Sequence, residues 1–264
     1  MQEAGDVEAL FTKWKPHPFG DDEGNSSNYI DFENHFRGSK EAKLGRQMEL
    51  KKLIDSVFDH AASPPGQWLD IGCGTGILLD DVKSRGHTQT VGVESDSRLA
   101  TIATEQGHQI LVGNAQEILA DLVRVKAKFD VISASHLIEH LHPTDASNLI
   151  NNAASLLADG GILVVETPNA QDSRVMLGSF YRDPTHVRPY PQKLLEFMFG
   201  STGLRVIEQS FYDHYGEERR SAVEDRSHDI QLIRENLQKA KRRLNNCFKQ
   251  NKTSLQLEVA DNEK

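Results

Sequence analysis

Apolar residues change their spacing three times along this chain. Up to about Ser27 they are scattered in a polar stretch, and the cluster Gly20, Asp21, Asp22, Glu23, Gly24, Asn25, Ser26, Ser27 reads as a loop. Next, Phe32 and Phe36 share an i, i+4 face. Leu44, Met48, Leu50, Ile54, Val57 and Phe58 continue near helical spacing until Ser63-Pro64-Pro65-Gly66 stops the pattern. Strand-length apolar runs then alternate with helical patterns: Gln67 to Ile71, Thr90 to Glu94, Gln109 to Val112, Phe129 to Ser133, Ile162 to Glu166 and Arg205 to Phe211. Runs rich in Val, Ile and Leu without polar alternation suit parallel strands covered on both faces. The pattern therefore predicts an α/β fold with a mostly parallel sheet of six strands. Asp159-Gly160-Gly161 is expected to be a tight entry to the fifth. After Gly216 the chain becomes charged, and Ile230, Ile233, Leu237, Ala240, Leu244 and Cys247 recur at heptad steps. That spacing predicts a C-terminal helix which either packs on its own core or self-associates as a homo-oligomer or assembly contact. The expected organisation is a polar lead-in (1–28), an N-terminal helical cap (29–62), a core (63–216), and a linker with a heptad-bearing helix (217–264).

Composition narrows the function classes. With 264 residues and 38% hydrophobic content, the chain can build one large core, and two cysteines make no disulfide framework. Met1 to Leu10 has neither the basic nor the apolar region of a secretory signal, and no apolar stretch approaches a transmembrane span. A cytoplasmic location is expected. The net charge of -9 argues against a nucleic-acid partner. One local exception is the basic outer face of the C-terminal helix, Lys239, Lys241, Arg242, Arg243, Lys249 and Lys252, which fits peripheral contact with an anionic membrane, a partner, or plain solvation.

Chemistry concentrates first in Asp70-Ile71-Gly72-Cys73-Gly74-Thr75-Gly76, a strand running into three alternating glycines and then a helix. A loop folded tightly beneath a ligand has no room for Cβ atoms and needs positive φ. The dinucleotide pattern would place the third glycine one step later. The following strand ends at Glu94, where a carboxylate can accept from both hydroxyls of a ribose. With Asp130 opening the fourth strand, these features resemble the class I S-adenosylmethionine-dependent methyltransferases over roughly Gln67 to Phe211. The resemblance implies a Rossmann-like fold with S-adenosylmethionine as methyl donor. It places Asp70, Gly72, Gly74 and Gly76 near the methionine moiety, Glu94 on ribose, and Asn114 and Ala115 around adenine. Asn114 replaces the acidic residue common at that position, and its amide oxygen still accepts from an exocyclic amine.

Methyl transfer to an alcohol needs a base or a metal ion, because a neutral hydroxyl is a poor nucleophile. Two histidine-bearing segments are candidates. In Ser135-His136-Leu137-Ile138-Glu139-His140, a helical turn would put His136, Glu139 and His140 on one face. H-x-x-E-H alone also matches an inverted zinc-peptidase pattern, and some quinone-precursor O-methyltransferases carry a similar divalent-metal cluster. His136 is expected to line the donor pocket. In Asp183-Pro184-Thr185-His186-Val187-Arg188-Pro189-Tyr190, the prolines predict an extended segment projecting His186, Arg188 and Tyr190 from one polar side. A base beside a guanidinium suits an anionic acceptor, although a salt-bridged loop would have the same sequence.

This second segment, together with Tyr29-Ile30-Asp31-Phe32-Glu33-Asn34-His35-Phe36-Arg37-Gly38-Ser39, resembles the methyltransferases that terminate O-antigen chains in lipopolysaccharide biosynthesis. The resemblance implies that Tyr29, Arg37, Gly38 and Ser39 fold over the donor. It also implies a terminal sugar hydroxyl or sugar phosphate as the anionic glycan acceptor. His186 or His140 is the expected base and Arg188 the anion holder. If a divalent metal ion is bound, Glu139, His140 and His186 are its expected ligands. The alternatives are a quinone-type small-molecule O-methyltransferase and an assembly protein that only binds cofactor.

Overall fold

Strand-length runs become strands here because both faces of the sheet are covered. The computed structural model describes residues 7–15, 52, 55–56, 66–85 and 89–211. β1 (Gln67–Ile71), β2 (Gln89–Glu94), β3 (Gln109–Val112), β4 (Phe129–Ser135) and β5 (Leu157–Glu166) pair in the order β3-β2-β1-β4-β5, with all four pairings parallel. Along the strands, side chains alternate between two apolar layers. Leu69, Ile71, Val93, Leu111, Ile132 and Ala134 join one core, while Trp68, Val131 and Val164, and also Ile110 and Val112, enter clusters apart from it.

The first layer is closed by α4 (Ala115–Arg124) and α5 (Pro143–Leu156), whose Ile118, Leu119, Leu122, Leu149, Ile150 and Leu156 are buried. α2 (Ile77–Ser84) and α3 (Ser97–Glu105) supply Leu78, Leu79, Val82, Ala100 and Ala103 to the other clusters. α1 (Val7–Lys13) is tied to the free edge of β3, where the Val112 N–H donates to the Trp14 carbonyl at 2.7 Å. Lys13 Nζ and Trp14 Nε1 reach the buried Asp121 carboxylate at 2.5 and 3.0 Å.

Parallel pairing brings the carboxyl ends of all five strands to one edge. The chain turns from β1 toward β2 on one side and reaches β4 on the other, so the loops after β1 and β4 diverge across a crevice. That edge holds every candidate site residue within the described range.

Three expectations need correction. Among the described residues the sheet has five strands, not six: Arg205 to Phe211 forms no ladder, and Val206, Ile207 and Phe211 are exposed. Apolar content alone does not make a strand when no neighbouring backbone satisfies it. β5 starts at Leu157, so Asp159-Gly160-Gly161 lies within the strand as an irregularity between the Phe129↔Leu157 and Val131↔Ile162 pairings. Tyr190 belongs to the apolar core rather than to a polar face, and its hydroxyl donates to the Leu141 carbonyl at 2.9 Å. The expected helical cap (apart from 52 and 55–56), the heptad helix, and Tyr29, Arg37, Gly38 and Ser39 lie outside the described residues.

Candidate active site

The glycine loop after β1 folds as its sequence demands. Gly76 has φ +84, and a Cβ there would lie 2.7 Å from the ring of buried His108. Gly74, at φ +56, faces open space on the side where a ligand can approach. Gly72 is also left-handed, and its N–H and that of Cys73 donate to the Val93 carbonyl. Gly76 is the N-cap of α2 without any side-chain cap, leaving that helix end suited to an anionic group.

Two carboxylates flank this loop. Glu94, at the end of β2, accepts from Gly74 N–H at 2.9 Å and Asp96 N–H at 2.8 Å, so it fastens the loop. Burial pushes Glu94 above the ordinary carboxylate range, and these backbone N–H groups only partly restore it. Asp70 is 3% exposed, and its carboxylate accepts from the Ser133 hydroxyl at 2.7 Å. The same hydroxyl accepts from Trp68 Nε1 at 2.9 Å. Burial raises Asp70 to about 7; the Ser133 bond opposes this and the Glu94 charge adds to it. Cys73 is held far above the thiol range, chiefly by burial, which favours its neutral thiol. After β3, Gly113 N–H donates to the Glu94 carbonyl, and Asn114 caps α4 through its side-chain oxygen on Gln116 N–H. Ala115 opens that helix. The three predicted donor-contacting regions are thereby adjacent.

His136 leaves β4 in the left-handed region at φ +51, uncommon for a residue with a Cβ. The helical turn expected from His136 to His140 is instead a 3₁₀ turn over Ile138–His140 with His136 outside it. His136 and Glu139 still meet, Nδ1 to Oε1 at 3.2 Å. Glu139 is completely buried, and its other oxygen accepts from the Thr167 hydroxyl at 3.0 Å. Burial alone would raise Glu139, but the His136 bond and charge bring it below the ordinary range.

The second segment docks on the first through backbone: Val187 and Arg188 N–H both donate to the Glu139 carbonyl, at 2.8 and 3.2 Å. Its beginning is not extended. Asp183 turns the chain by accepting from Thr185 N–H at 2.9 Å, which overrides the local bias of the proline. The turn sets His186 against His140 with ring centroids 4.7 Å apart. One candidate ligand atom from each of Glu139, His140 and His186 lies within 4.8 Å of the others. His186 Nδ1 faces the Phe180 carbonyl at 2.6 Å, so it carries the proton. Its Nε2 is buried without a hydrogen-bond partner. An imidazole nitrogen with no hydrogen bond, 3.7 Å from Asp183 Oδ2 and beside Glu139 and a second imidazole, fits a divalent metal or a transferred proton. Burial holds His140 below the ordinary histidine range, and the charge of Glu139 only partly offsets this. Arg188 lies with its guanidinium 5.2 Å from the Tyr190 ring centroid.

The sequence reading missed Ser133, Thr167, Asp183, Thr185 and Glu166 as parts of this site. Glu166 ends β5, directly opposite Ser135 in register, and is hydrogen-bonded by its hydroxyl. The carboxyl ends of predicted parallel strands were the available signal for Glu166.

Comparison with known proteins agrees with this geometry. A family model described as a methyltransferase domain (Methyltransf_23) matches residues 44–209. A protein named ubiquinone biosynthesis O-methyltransferase from Caulobacter sp. (strain K31) is 35% identical over 106 residues, 38% of this chain and 40% of that protein. The chain thus matches less than half the length of this relative. Among solved structures, a SAM-dependent methyltransferase from Archaeoglobus fulgidus superposes with a TM-score of 0.61 at 29% identity, covering 70% of this chain and 78% of that one. The fold also matches magnesium protoporphyrin IX methyltransferase from Synechocystis PCC 6803, with a TM-score of 0.55 at 14% identity, covering 71% of this chain and 89% of that one. With the glycine loop, the paired carboxylates and the sheet order in place, the chain belongs to the Methyltransf_23 family of class I S-adenosylmethionine-dependent methyltransferases.

Proposed function

We propose that this enzyme is an O-methyltransferase which removes the proton of its acceptor hydroxyl at the Glu139–His140–His186 cluster. The buried Nε2 of His186, without a hydrogen bond and clustered with His140 and Glu139, carries this reading. S-adenosylmethionine, when bound, supplies an electrophilic methyl group on sulfur. Asp70 and Glu94 give the donor crevice two carboxylates, matched to a cationic ligand. The glycine loop and the uncapped start of α2 receive its methionine end, Glu94 its ribose, and the Gly113-Asn114-Ala115 turn its adenine.

At the acceptor side, an imidazole Nε2 takes the hydroxyl proton as the oxygen–carbon bond forms and the sulfur–carbon bond breaks. The products are the methyl ether, S-adenosylhomocysteine and a proton held on imidazole. Two imidazoles and one carboxylate also match the ligand preferences of a zinc- or iron-type divalent ion better than those of magnesium. Such an ion, where bound, lowers the pKa of a coordinated hydroxyl. Glu139, His140 and His186 would hold it, and His136 and Thr167 would keep the Glu139 carboxylate in place.

Arg188 supports an anionic acceptor, as the acidic terminal sugar of an O-antigen-type glycan would be. A phenolic quinone precursor is the second reading, favoured by the names of the relatives and by exposed apolar residues in the segment after β5, Leu177 at 87% and Tyr181 at 73%. The deciding experiment supplies the intact chain with a donor labelled on its methyl group. Sugar acids, glycan termini, phosphosugars and dihydroxyphenols are offered, and products are identified by mass spectrometry. A labelled methyl ether supports O-methylation and names the acceptor class. Label found only on nitrogen or carbon would refute it. Methylation of a phosphosugar phosphate, abolished by Arg188→Ala but preserved in His186→Ala, would instead remove the need for a base.

A further inference from the structure

We propose that Asp183 and Thr185 form a positioning relay that fixes the tautomer of His140, leaving its Nε2 as the lone pair presented to the acceptor or to a metal ion. The inference rests on the reading of Glu139, His140 and His186 given above. A threonine hydroxyl has one proton to give. Here Thr185 Oγ1 lies 2.5 Å from Asp183 Oδ1 and donates to it. The Asp183 side chain is only 4% exposed and also accepts the Thr185 N–H at 2.9 Å, so hydroxyl and backbone converge on one carboxylate oxygen. The distance fits a charge-assisted bond to an ionised acceptor. Having spent its proton, the Thr185 oxygen can only accept from His140 Nδ1, which lies 2.9 Å away. His140 is therefore the Nδ1–H tautomer, and its lone pair is on Nε2.

His186 reaches the same tautomer by different means, because Nδ1 must donate to the Phe180 carbonyl. Two rings with centroids 4.7 Å apart thus carry aligned protonation, one set by main chain and one by side chains. Only the second can be altered by substitution. A polar atom that orients an imidazole through its far nitrogen is the arrangement expected around a proton acceptor or metal-holding histidine. A turn-capping role for Thr185 alone would need only its N–H on Asp183 and would place no demand on the His140 ring.

The test uses nitrogen-15 NMR of the full chain labelled in histidine, at pH 8 and without added metal. His140 signals are assigned with His140→Gln. Wild type should show His140 as Nδ1–H, Thr185→Val should move it toward Nε2–H, and Thr185→Ser should restore it. Should Thr185→Val fail to fold, Thr185→Ala gives the same comparison. An Nε2–H tautomer in wild type, or an unchanged Nδ1–H tautomer in the folded relay variants, overturns the proposal. Titration with zinc ion alone separates it from the reading beneath it. Affinity should fall about 10- to 100-fold in Thr185→Val. A tautomer change with unaltered zinc affinity would leave the relay standing and refute the ligand role of His140.

Discussion

Asp70→Asn should make the protein more stable as pH rises while removing its grip on the methyl donor. In the free enzyme Asp70 is buried and titrates at about 7, against an ordinary value of 3.8, because burial penalises its charge. The unfolded chain loses this proton first, so between pH 3.8 and 7 the folded state binds more protons than the unfolded state. Stability therefore falls as pH rises through that interval and levels off above 7. Each pH unit inside it costs about 1.4 kcal/mol, so the interval from pH 5 to 7 accounts for about 3 kcal/mol. Asparagine has no charge to bury. It still accepts from the Ser133 hydroxyl, although its amide N–H introduces a fixed cost of about 1–3 kcal/mol if unsatisfied. That cost does not vary with pH, and the difference between variant and wild type does.

Thermal unfolding in the absence of donor should place Asp70→Asn about 6–12 °C higher relative to wild type at pH 7 than at pH 5, with no further divergence at pH 8. Calorimetric titration with S-adenosylmethionine should meanwhile show at least tenfold weaker binding to the variant at pH 8. In wild type, binding near pH 6.5 should release a proton, detected as a dependence of the heat on buffer ionisation enthalpy. A melting difference that stays constant from pH 5 to 8 would refute the argument that burial of this charge is the operative term. So would a variant that binds donor as tightly as wild type.

Other substitutions separate loop geometry from chemistry. Gly76→Ala should cost about 1–2 kcal/mol for its left-handed conformation alone, and should weaken S-adenosylhomocysteine binding because the new Cβ meets the His108 ring; calorimetry and thermal unfolding check both. His186→Ala should reduce turnover of a hydroxyl acceptor by about 100-fold or more, and if a metal is held, chelation should reproduce much of that loss. Elemental analysis of active protein with no bound transition metal and full turnover would leave proton acceptance as the only role of the cluster. Because burial lowers His140, zinc binding should persist to a lower pH than an ordinary histidine allows. In stability, this group favours the fold above its ordinary titration range and loses that contribution as pH falls through the interval down to its folded value. Zinc affinity that collapses already at pH 7 would contradict this.

The parts of the fold legible in the sequence were those specified locally. The short apolar run of Trp68, Leu69 and Ile71 followed by Gly72, Gly74 and Gly76 specifies both strand and loop, because each glycine's conformational demand is its own. Glu94 was legible because the carboxyl end of a parallel strand is a fixed place in the fold. Arg205 to Phe211 failed because a strand is a property of two backbones, and no partner was implied by its apolar pattern. Tyr190 failed for a related reason: period two along 186–190 distinguishes two sides but does not say which side meets the core.

The Glu139–His140–His186 cluster shows how long-range register brings together residues that are ordinary alone. Thr185 and His140 are 45 positions apart, and their meeting follows from two backbone bonds onto the Glu139 carbonyl. The Glu139 carbonyl is open to those bonds because the residue four positions on is Pro143, which has no N–H to donate. The left-handed His136 ends the strand so that the short turn can follow, and this places the Glu139 carboxylate inward and its carbonyl outward. Strain at one residue thus presents an acceptor to a second loop, and that loop brings in His186, Thr185 and Asp183. A sequence pattern can nominate the histidines, but their protonation depends on which atoms that docking places beside them.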